Sequence, residues 1–367
     1  MSGFGTPPLI ERLRRRESLD RATASALMDA VMRGEVGAAS LAAVLVALSM
    51  KGERAEELAG LAEAMRDHAV DPGIDPRAHA GLVDTCGTGG DRSGTFNIST
   101  AAAIVVAACG VPVVKHGNRS VSSRCGSADV LEALGVTIAS TPEAVRRSLD
   151  EANLAFLFAP AFHPAMKHAA PVRRELGVPT AFNLLGPLSN PARPKRQVIG
   201  VPRPELTELL ARTSLMLGAE RVWVVHGTDG LDELSTTGHT KVSEAVFDPT
   251  SEPATDHRDD RGAGSTPRTG TVRTFDLHPS DVGLAVADPE SLVGGDASRN
   301  AEIIRRVLDG DAGPARDIVR LNAAATLLVA GRVESIVEGV TLAGEAIDDG
   351  RARETLARFR AASGDAS

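Results

Sequence analysis

The chain has 367 residues, enough for two domains of ordinary size, and its 43% hydrophobic and 24% charged residues are typical of a soluble globular protein. The 40 basic and 48 acidic residues give a net charge of −8, which argues against a general nucleic-acid binder or a protein of anionic membrane surfaces. Three scattered cysteines, Cys86, Cys109 and Cys125, exclude a disulfide framework and a zinc site of ordinary ligand spacing. No secretory signal is visible, and no apolar run reaches the ~18–20 residues that span a bilayer. We therefore expect a cytoplasmic protein with no nucleic-acid or membrane partner.

The first part of the chain shows the periodicity of short helices. Apolar residues recur at helical spacing from residue 9 to residue 70, Ser18 is predicted to cap one helix, and Gly34 and Gly52 are expected to end two of them. The basic run at 12–17 is interpreted as a solvated helix face rather than a nucleic-acid site, because no aromatic residues interleave with it.

Beyond a hinge rich in proline and glycine at 71–80, strands and helices alternate, which predicts an α/β domain with a mainly parallel central sheet. The predicted strands are Leu82–Thr85, Pro112–Lys115, Val136–Ile138, Leu154–Phe158, Gln197–Val201, Arg221–His226 and Thr271–Phe275. The predicted helices follow Thr100, start at a cap at Ser127, occupy Pro142–Asn153, and fill the chain from Asn300 onward.

Two domains are predicted from this division. Residues 1–72 form a small N-terminal helical domain, completed by helices near 163–190, and residues 80–367 form the larger α/β domain. Within the larger domain, residues 248–270 contain almost no large apolar side chains, so we expect a mobile polar loop there.

A glycine cluster, GTGGD at 87–91, stands between a predicted strand and a predicted helix. Gly87, Gly89 and Gly90 permit a sharp turn that presents bare N–H groups, and the helix N-terminus that follows favours negative charge. Taken alone, the cluster is equally typical of an ordinary turn, and it matches neither the dinucleotide-binding fingerprint nor a Walker loop. Its position after a strand and before a helix predicts a phosphate site.

A second anion-binding loop follows the next strand, as KHGNRS at 115–120. Lys115 at the end of a strand, followed by a glycine turn, can direct one positive charge and several N–H donors at a polyphosphate. Ser122, Ser123 and Ser127 add hydroxyl groups nearby, while a polar surface loop is the alternative. Cys125 is interpreted as a small buried thiol.

Acidic and basic pairs occur farther along the chain. Asp232 and Glu233 follow a predicted strand in a glycine-containing loop, and two such carboxylates suit magnesium that is bound together with phosphates. Of the adjacent pair Arg173 and Arg174, one can bind a carboxylate bidentately, while its neighbour can be an ordinary surface charge. His163 and His168 are expected to have structural roles. No arrangement typical of covalent catalysis is present.

Seven motifs occur in a characteristic order: GTGGD, NIST, KHGNRSVSS, GSAD, PVRRELG, NLLGPLSNP and DELS. In this combination the chain resembles the anthranilate phosphoribosyltransferases from about Leu9 to Arg360. The resemblance implies the fold class of nucleoside phosphorylases and phosphoribosyltransferases, commonly as a homodimer. It also implies transfer of the phosphoribosyl group from phosphoribosyl pyrophosphate to the amine of anthranilate, with release of pyrophosphate, in tryptophan biosynthesis.

The resemblance also implies roles for individual residues. The expected ligands of the sugar diphosphate are Gly87, Gly90, Asp91, Thr95, Asn97, Ser99, Thr100, Lys115, Ser123 and Ser127, and the substrate-binding set further includes His116, Gly117, Asn118, Arg119 and Ser122. Magnesium (Mg²⁺), the expected cofactor, is assigned to Ser99, Asp232 and Glu233. Anthranilate is assigned to Gly87, Asn118 and Arg173, with the arginine on its carboxylate, and catalysis to Lys115, Asn118 and Arg173. The chain departs from the family pattern at Arg92, at Cys125 and in the polar insert after Phe247.

Two alternatives share this architecture. A pyrimidine nucleoside phosphorylase would use phosphate as the nucleophile, and the KHGNRS loop, the PVRRELG segment and the acidic pair argue against it. A non-catalytic nucleic-acid-binding relative would need a basic groove and would lack metal carboxylates, whereas this chain is acidic and retains both acids.

Overall fold

The computed structural model describes residues 4–75, 77–79, 81–91, 93–120, 124–138, 141–248 and 270–364. The residues predicted to form the mobile polar loop, apart from its two ends, lie outside these ranges. The same is true of Arg92, Ser122 and Ser123.

Four helices open the chain: α1 (Pro7–Arg14), α2 (Arg21–Met32), α3 (Ala38–Lys51) and α4 (Ala55–Asp67). The predicted cap at Ser18 is wrong, because the carboxylate of Asp20 accepts the Thr23 N–H at 2.8 Å and so satisfies the N-terminus of α2. Gly52 does end α3, with a positive φ of 86°.

The basic run at 12–17 lies on the surface, as predicted. Arg14, in the last turn of α1, and Arg15, directly after it, are exposed and pair with Glu11 of that helix at 2.9 and 3.0 Å. Both arginines are therefore part of a solvated helix face.

The four N-terminal helices pack with later parts of the chain. Leu45 and Leu58 share an apolar core with Phe182 and Leu185 of α10 (Ala181–Leu188). The same core continues onto one face of the sheet through Ile199 and other apolar residues. The region near 163–190 therefore contacts the N-terminal helices, and the division into two domains stays a prediction.

Seven strands form one sheet in the spatial order β3-β2-β1-β4-β5-β6-β7. They are β1 (Val83–Gly87), β2 (Val113–Gly117), β3 (Leu154–Phe158), β4 (Arg196–Gly200), β5 (Arg221–Gly227), β6 (Thr240–Phe247) and β7 (Gly270–Leu277). The first five pair in parallel and the last two are antiparallel, which confirms the mainly parallel α/β prediction. The strand order reverses between β1 and β4, and ligands of such sheets bind beyond the carboxyl ends of the strands at that point.

One predicted strand is wrong, and one observed strand was not predicted. Residues 136–138 form no strand, because the Thr137 N–H bonds the Ser363 side chain at 3.0 Å and the Val136 N–H bonds Leu131. Strand β6 was missed, because the polar residues Ser243 and Glu244 interrupt its apolar pattern although both are buried.

Helices cover both faces of the sheet. The remaining helices are α5 (Ile98–Ala108), α6 (Ser127–Ala133), α7 (Pro142–Ala152), α8 (Ala159–Phe162), α9 (Ala170–Leu176), α11 (Leu206–Met216), α12 (Ala297–Leu308), α13 (Pro314–Ala330), α14 (Ile336–Asp348) and α15 (Arg351–Ser363), with short 3₁₀ turns at Pro164–His168, Pro279–Val282 and Pro289–Leu292. Ser127 is the first helical residue of α6 rather than its cap, because the Asp129 carboxylate accepts the N–H of Gly126 at 2.8 Å. Within the described ranges, no helix is both long and apolar enough to cross a membrane.

Candidate active site

The glycine loop leaves β1 at the strand-order reversal and meets the acidic pair. Gly89 and Gly90 have φ angles of 71° and 89°, which only glycine adopts readily. The Gly89 N–H donates to the Asp232 carboxylate at 2.8 Å, so this loop already presents an N–H to an oxyanion. A phosphate in this position would compete with Asp232 for that donor.

The acidic pair is held against two strand ends that have no room for side chains. A Cβ on Gly87 would lie 2.3 Å from the Asp232 carboxylate, and one on Gly200 would lie 1.5 Å from the Asp232 carbonyl oxygen. The role of Gly200 was missed from the sequence, because its contact with Asp232 depends on the pairing of β1 with β4 and leaves no local signal.

Three carboxylates concentrate negative charge at this point. Burial raises the pKa of Asp232, and repulsion from Asp91 and Glu233 raises it further. Burial also raises the pKa of Glu233, although Lys115 and Ser99 oppose that shift. The Glu233 carboxylate accepts the Ser99 N–H at 3.0 Å, at the N-terminus of α5.

This excess of negative charge fits a divalent cation. Within the described parts of the chain, no group of three or more His, Cys, Asp or Glu side chains is arranged to hold a metal ion. Mg²⁺ usually takes one or two carboxylates and completes its coordination with water and substrate phosphates. The donor set of Ser99, Asp232 and Glu233 therefore suits a magnesium ion bound with a diphosphate.

Lys115 brings a positive charge to the same place. Its ammonium group is buried, the residue being 4% exposed, and donates to the Thr85 carbonyl at 2.6 Å and to the Ser99 hydroxyl at 3.2 Å. The lysine thus connects the ends of β1 and β2 with the start of α5, where an incoming anion would meet its charge.

The 117–120 loop is folded onto the start of α6. The Ser127 hydroxyl donates to the Asn118 carbonyl at 3.2 Å, and a Cβ on Gly117 would lie 2.2 Å from that hydroxyl oxygen. The Arg119 guanidinium pairs with Glu132 at 2.6 and 2.7 Å and with Asp129 at 2.9 Å. The Arg119 side chain therefore anchors the loop, and its predicted contact with substrate stays a prediction.

Three predicted substrate ligands, Thr95, Asn97 and Thr100, follow the glycine loop in the sequence. Asn97 donates to the Cys125 carbonyl at 3.2 Å and accepts from Asn300 of α12 at 2.9 Å. Thr95 lies within 3.2 Å of the Ser93 hydroxyl, while Thr100 is buried inside α5. Asn300 was missed from the sequence because no motif marks it.

Arg173 is a cation without a carboxylate partner among the described residues. Its guanidinium lies over the Phe182 ring, 5.1 Å from the ring centroid, and burial lowers its pKa. The adjacent Arg174 is exposed. A partly buried guanidinium of this kind is suited to binding a ligand carboxylate.

Two buried histidines lie side by side. The ring centroids of His116 and His163 are 5.1 Å apart, and neither Nε2 atom has a hydrogen-bond partner among the described residues. Burial lowers the pKa of His116 to about 3, with help from His163, and lowers that of His163 to about 4. Both rings are therefore neutral at neutral pH, and the structure places His163 beside a predicted substrate ligand.

This pair makes the protein sensitive to acid. A histidine whose folded pKa lies below its unfolded value, about 6.5, favours the folded state above that pH and loses this contribution as the pH falls toward the folded pKa. We expect the free energy of unfolding to decrease as the pH is lowered below 6.5. His163→Asn should make the change of this free energy with pH smaller by about one proton, or ~1.4 kcal/mol per pH unit. Urea unfolding at pH 7, 6 and 5 measures how the free energy of unfolding changes with pH. The same pH dependence in the variant and the wild type would contradict a contribution from His163.

A cleft of about 1290 Å³ borders the glycine loop. It is lined by Thr88–Asp91 together with residues from the end of α3, the start of α10 and α11. Lys115, Asn118 and Arg173 are not part of its lining, so the predicted catalytic residues lie elsewhere.

Comparison with known proteins accounts for this arrangement. Residues 7–69 match the helical bundle domain of a glycosyl transferase family, and residues 79–353 match its a/b domain. An anthranilate phosphoribosyltransferase from Solibacter usitatus is 50% identical over 358 residues, which cover 96% of this chain and 98% of the relative. One from Acetivibrio thermocellus is 47% identical over 95% of this chain and 94% of the relative.

Comparison with solved structures points to the same family. The anthranilate phosphoribosyltransferase of Thermus thermophilus superposes with a TM-score of 0.83 at 43% identity, covering 96% of this chain and 98% of that one. The Saccharomyces cerevisiae enzyme, in complex with phosphoribosyl pyrophosphate (PRPP) and Mg, superposes with a TM-score of 0.81 at 26% identity, covering 98% and 97%. These relatives support the transferase prediction rather than the phosphorylase or nucleic-acid-binding alternatives. The chain therefore belongs to the anthranilate phosphoribosyltransferase family.

Proposed function

We propose that this site transfers the 5-phosphoribosyl group from phosphoribosyl pyrophosphate to the amine of anthranilate, giving N-(5-phosphoribosyl)anthranilate and pyrophosphate in tryptophan biosynthesis. One observation supports this above all: a glycine loop, a buried lysine and an acidic pair meet at the carboxyl ends of neighbouring parallel strands. That set provides both positive and metal-binding groups for a diphosphate.

The sugar diphosphate is assigned to the glycine loop, the N-terminus of α5 and the Lys115 loop. The N–H groups of the glycine loop and the charge of Lys115 bind phosphate oxygens, and Asn97 and Ser127 bind from the start of the neighbouring helices. The yeast relative's complex with PRPP and Mg supports this assignment.

Magnesium is assigned to Ser99, Asp232 and Glu233. When bound, it would neutralise charge on the departing pyrophosphate. The protein's own contribution is to keep the two carboxylates close together despite their repulsion, through hydrogen bonds from Gly89 and Ser99. A solved complex of the yeast relative with Mg supports the cofactor.

Anthranilate is assigned to Arg173, Asn118 and the Gly87 end of β1. Arg173 would bind the carboxylate and direct the amine toward the anomeric carbon, on the face opposite the departing pyrophosphate. Attack by the amine breaks the bond between the anomeric carbon and pyrophosphate with inversion, and the nitrogen then loses a proton. Lys115 stabilises the charge that develops on the leaving group. A yeast complex with 4-fluoroanthranilate supports the acceptor.

Arg173→Ala tests the acceptor assignment. We expect the KM for anthranilate to rise roughly 100-fold, because a charge-assisted bidentate contact is lost, while the affinity for phosphoribosyl pyrophosphate changes little. Arg174→Ala, at the exposed neighbour, is the matched control and should retain wild-type kinetics. Equal losses for both substrates in the Arg173 variant would contradict the carboxylate role.

Assembly and location complete the proposal. We propose a cytoplasmic homodimer in which residues 1–72, together with helices near 163–190, form the small domain. The separate matches at 7–69 and 79–353 support this division. The homodimer is supported by the family resemblance. Light scattering that gives the mass of a single chain at micromolar concentration would contradict the dimer.

A further inference from the structure

One buried asparagine holds the main chain beside the acidic pair. Asn322 lies in the middle of α13 and is 1% exposed. Its amide oxygen accepts the Leu234 N–H at 3.0 Å, and its amide nitrogen donates to the Leu234 carbonyl at 2.9 Å. The same nitrogen donates to the Ile318 carbonyl at 2.9 Å. The side chain thus pairs with both main-chain groups of one residue, as a neighbouring strand would.

Leu234 is the residue directly after Glu233, and its side chain is fully buried. In the described part of the chain, no main-chain group bonds the Leu234 N–H or carbonyl, so Asn322 satisfies both. A buried main-chain group without a partner is costly, and this pairing therefore fixes the loop strongly.

The acidic pair needs such an external constraint. The hydrogen bonds from Gly89 and Ser99 reach only carboxylate oxygens, and an incoming ligand or metal would compete for those oxygens. The carboxylates also repel one another and Asp91. Asn322 instead bonds the main chain of Leu234, so a ligand of the carboxylates does not compete for these hydrogen bonds.

We propose that Asn322 is a positioning residue that fixes Asp232 and Glu233 in the orientation required to bind magnesium with the diphosphate. This inference rests on the metal role proposed above for that pair. Residues behind metal ligands typically contribute about 10–100-fold to metal affinity, because they restrict the orientations of the ligands.

Asn322→Asp is the most informative variant, because it keeps the size of the side chain and one acceptor oxygen. It replaces the amide nitrogen, which donates to the Leu234 and Ile318 carbonyls, with an oxygen that cannot donate when ionised. We expect the affinity for Mg²⁺ in the presence of phosphoribosyl pyrophosphate, measured by calorimetric titration without anthranilate, to fall about 10-fold. Hydrogen exchange at the Leu234 amide should accelerate, while the KM for anthranilate stays near the wild-type value. Asn322→Ser provides the same test if the aspartate variant does not fold.

Thr326→Val is the matched control on the same helix. Thr326 is fully buried, and its hydroxyl donates to the Asn322 carbonyl at 3.0 Å without reaching Leu234. This variant should lose stability and keep its Mg²⁺ affinity and Leu234 exchange rate. Equal loss of stability in the Asn322 and Thr326 variants, with Mg²⁺ affinity unchanged in both, would overturn the positioning role.

The acidic variants separate this inference from the proposed function. Asp232→Asn with Glu233→Gln should weaken Mg²⁺ binding in the same titration. If the acidic variant weakens binding and the Asn322 variants do not, the inference fails and the metal site stands. If the acidic variant binds Mg²⁺ like the wild type, the metal site and the positioning role both fail.

Discussion

Asp232→Asn combined with Glu233→Gln is expected to lower kcat/KM for phosphoribosyl pyrophosphate by about 1000-fold, with a higher Mg²⁺ requirement in any remaining activity. The amides keep the size and one acceptor oxygen of each side chain but remove both charges that face the cation. Loss of a preorganised electrostatic group typically costs about 100–1000-fold, and two such groups are removed here. Initial rates measured against Mg²⁺ concentration test this expectation.

The stability of the same double variant distinguishes a functional loss from misfolding. Because the folded-state pKa values of both acids are raised, their ionisation destabilises the folded state as the pH rises from the unfolded values through the folded ones. The amides do not ionise, so the double variant should match or exceed the wild-type unfolding temperature at pH 8. Glu302→Gln, on the exposed face of α12, is the activity control. An unchanged Mg²⁺ curve in the double variant would remove the pair from the metal site.

Glu57→Ala is expected to have the largest effect on stability, about 3–5 kcal/mol. The Glu57 carboxylate is fully buried and accepts the Leu19 N–H at 2.9 Å, the Arg54 N–H at 2.8 Å and the Lys51 ammonium at 2.8 Å. These bonds join the residues before α2, the end of α3 and the start of α4. Removing the carboxylate leaves two N–H groups without their acceptor and takes the paired negative charge from the buried Lys51 ammonium, which keeps the Gly52 carbonyl at 2.7 Å.

Urea unfolding followed by circular dichroism measures this loss. Glu56→Ala is the matched control, because Glu56 is exposed in the same first turn of α4, and it should change the free energy of unfolding by less than about 0.5 kcal/mol. A Glu57 variant that loses no more than the Glu56 variant would show that the ion pair contributes little.

The elements that the sequence predicts well have local signals. Glycines at 87–90 follow a buried strand and precede a small-residue helix, so their place at the end of β1 is encoded within about 25 residues. The position of Lys115 is predicted for the same reason, because its strand and the glycine turn that follows are adjacent in the sequence. Arg173 and Arg174 were distinguished only by family resemblance, and their different exposure depends on how α9 packs.

The elements that the sequence does not predict depend on distant contacts. Strand β6 is hidden because Glu244 is buried, and the Arg221, Trp223 and Arg273 side chains that stabilise it come from the two neighbouring strands. Asn322 supports a loop 88 positions away in the sequence. Such roles follow from tertiary packing, and no spacing within one segment encodes them.

Turnover with the two proposed substrates tests the central claim most directly. The full-length protein is mixed with Mg²⁺, phosphoribosyl pyrophosphate and anthranilate, and loss of anthranilate fluorescence is followed together with pyrophosphate release. We predict that one pyrophosphate forms for each anthranilate consumed, and that omission of any of the three components stops the reaction. A folded sample that consumes no anthranilate under these conditions would contradict the proposed function.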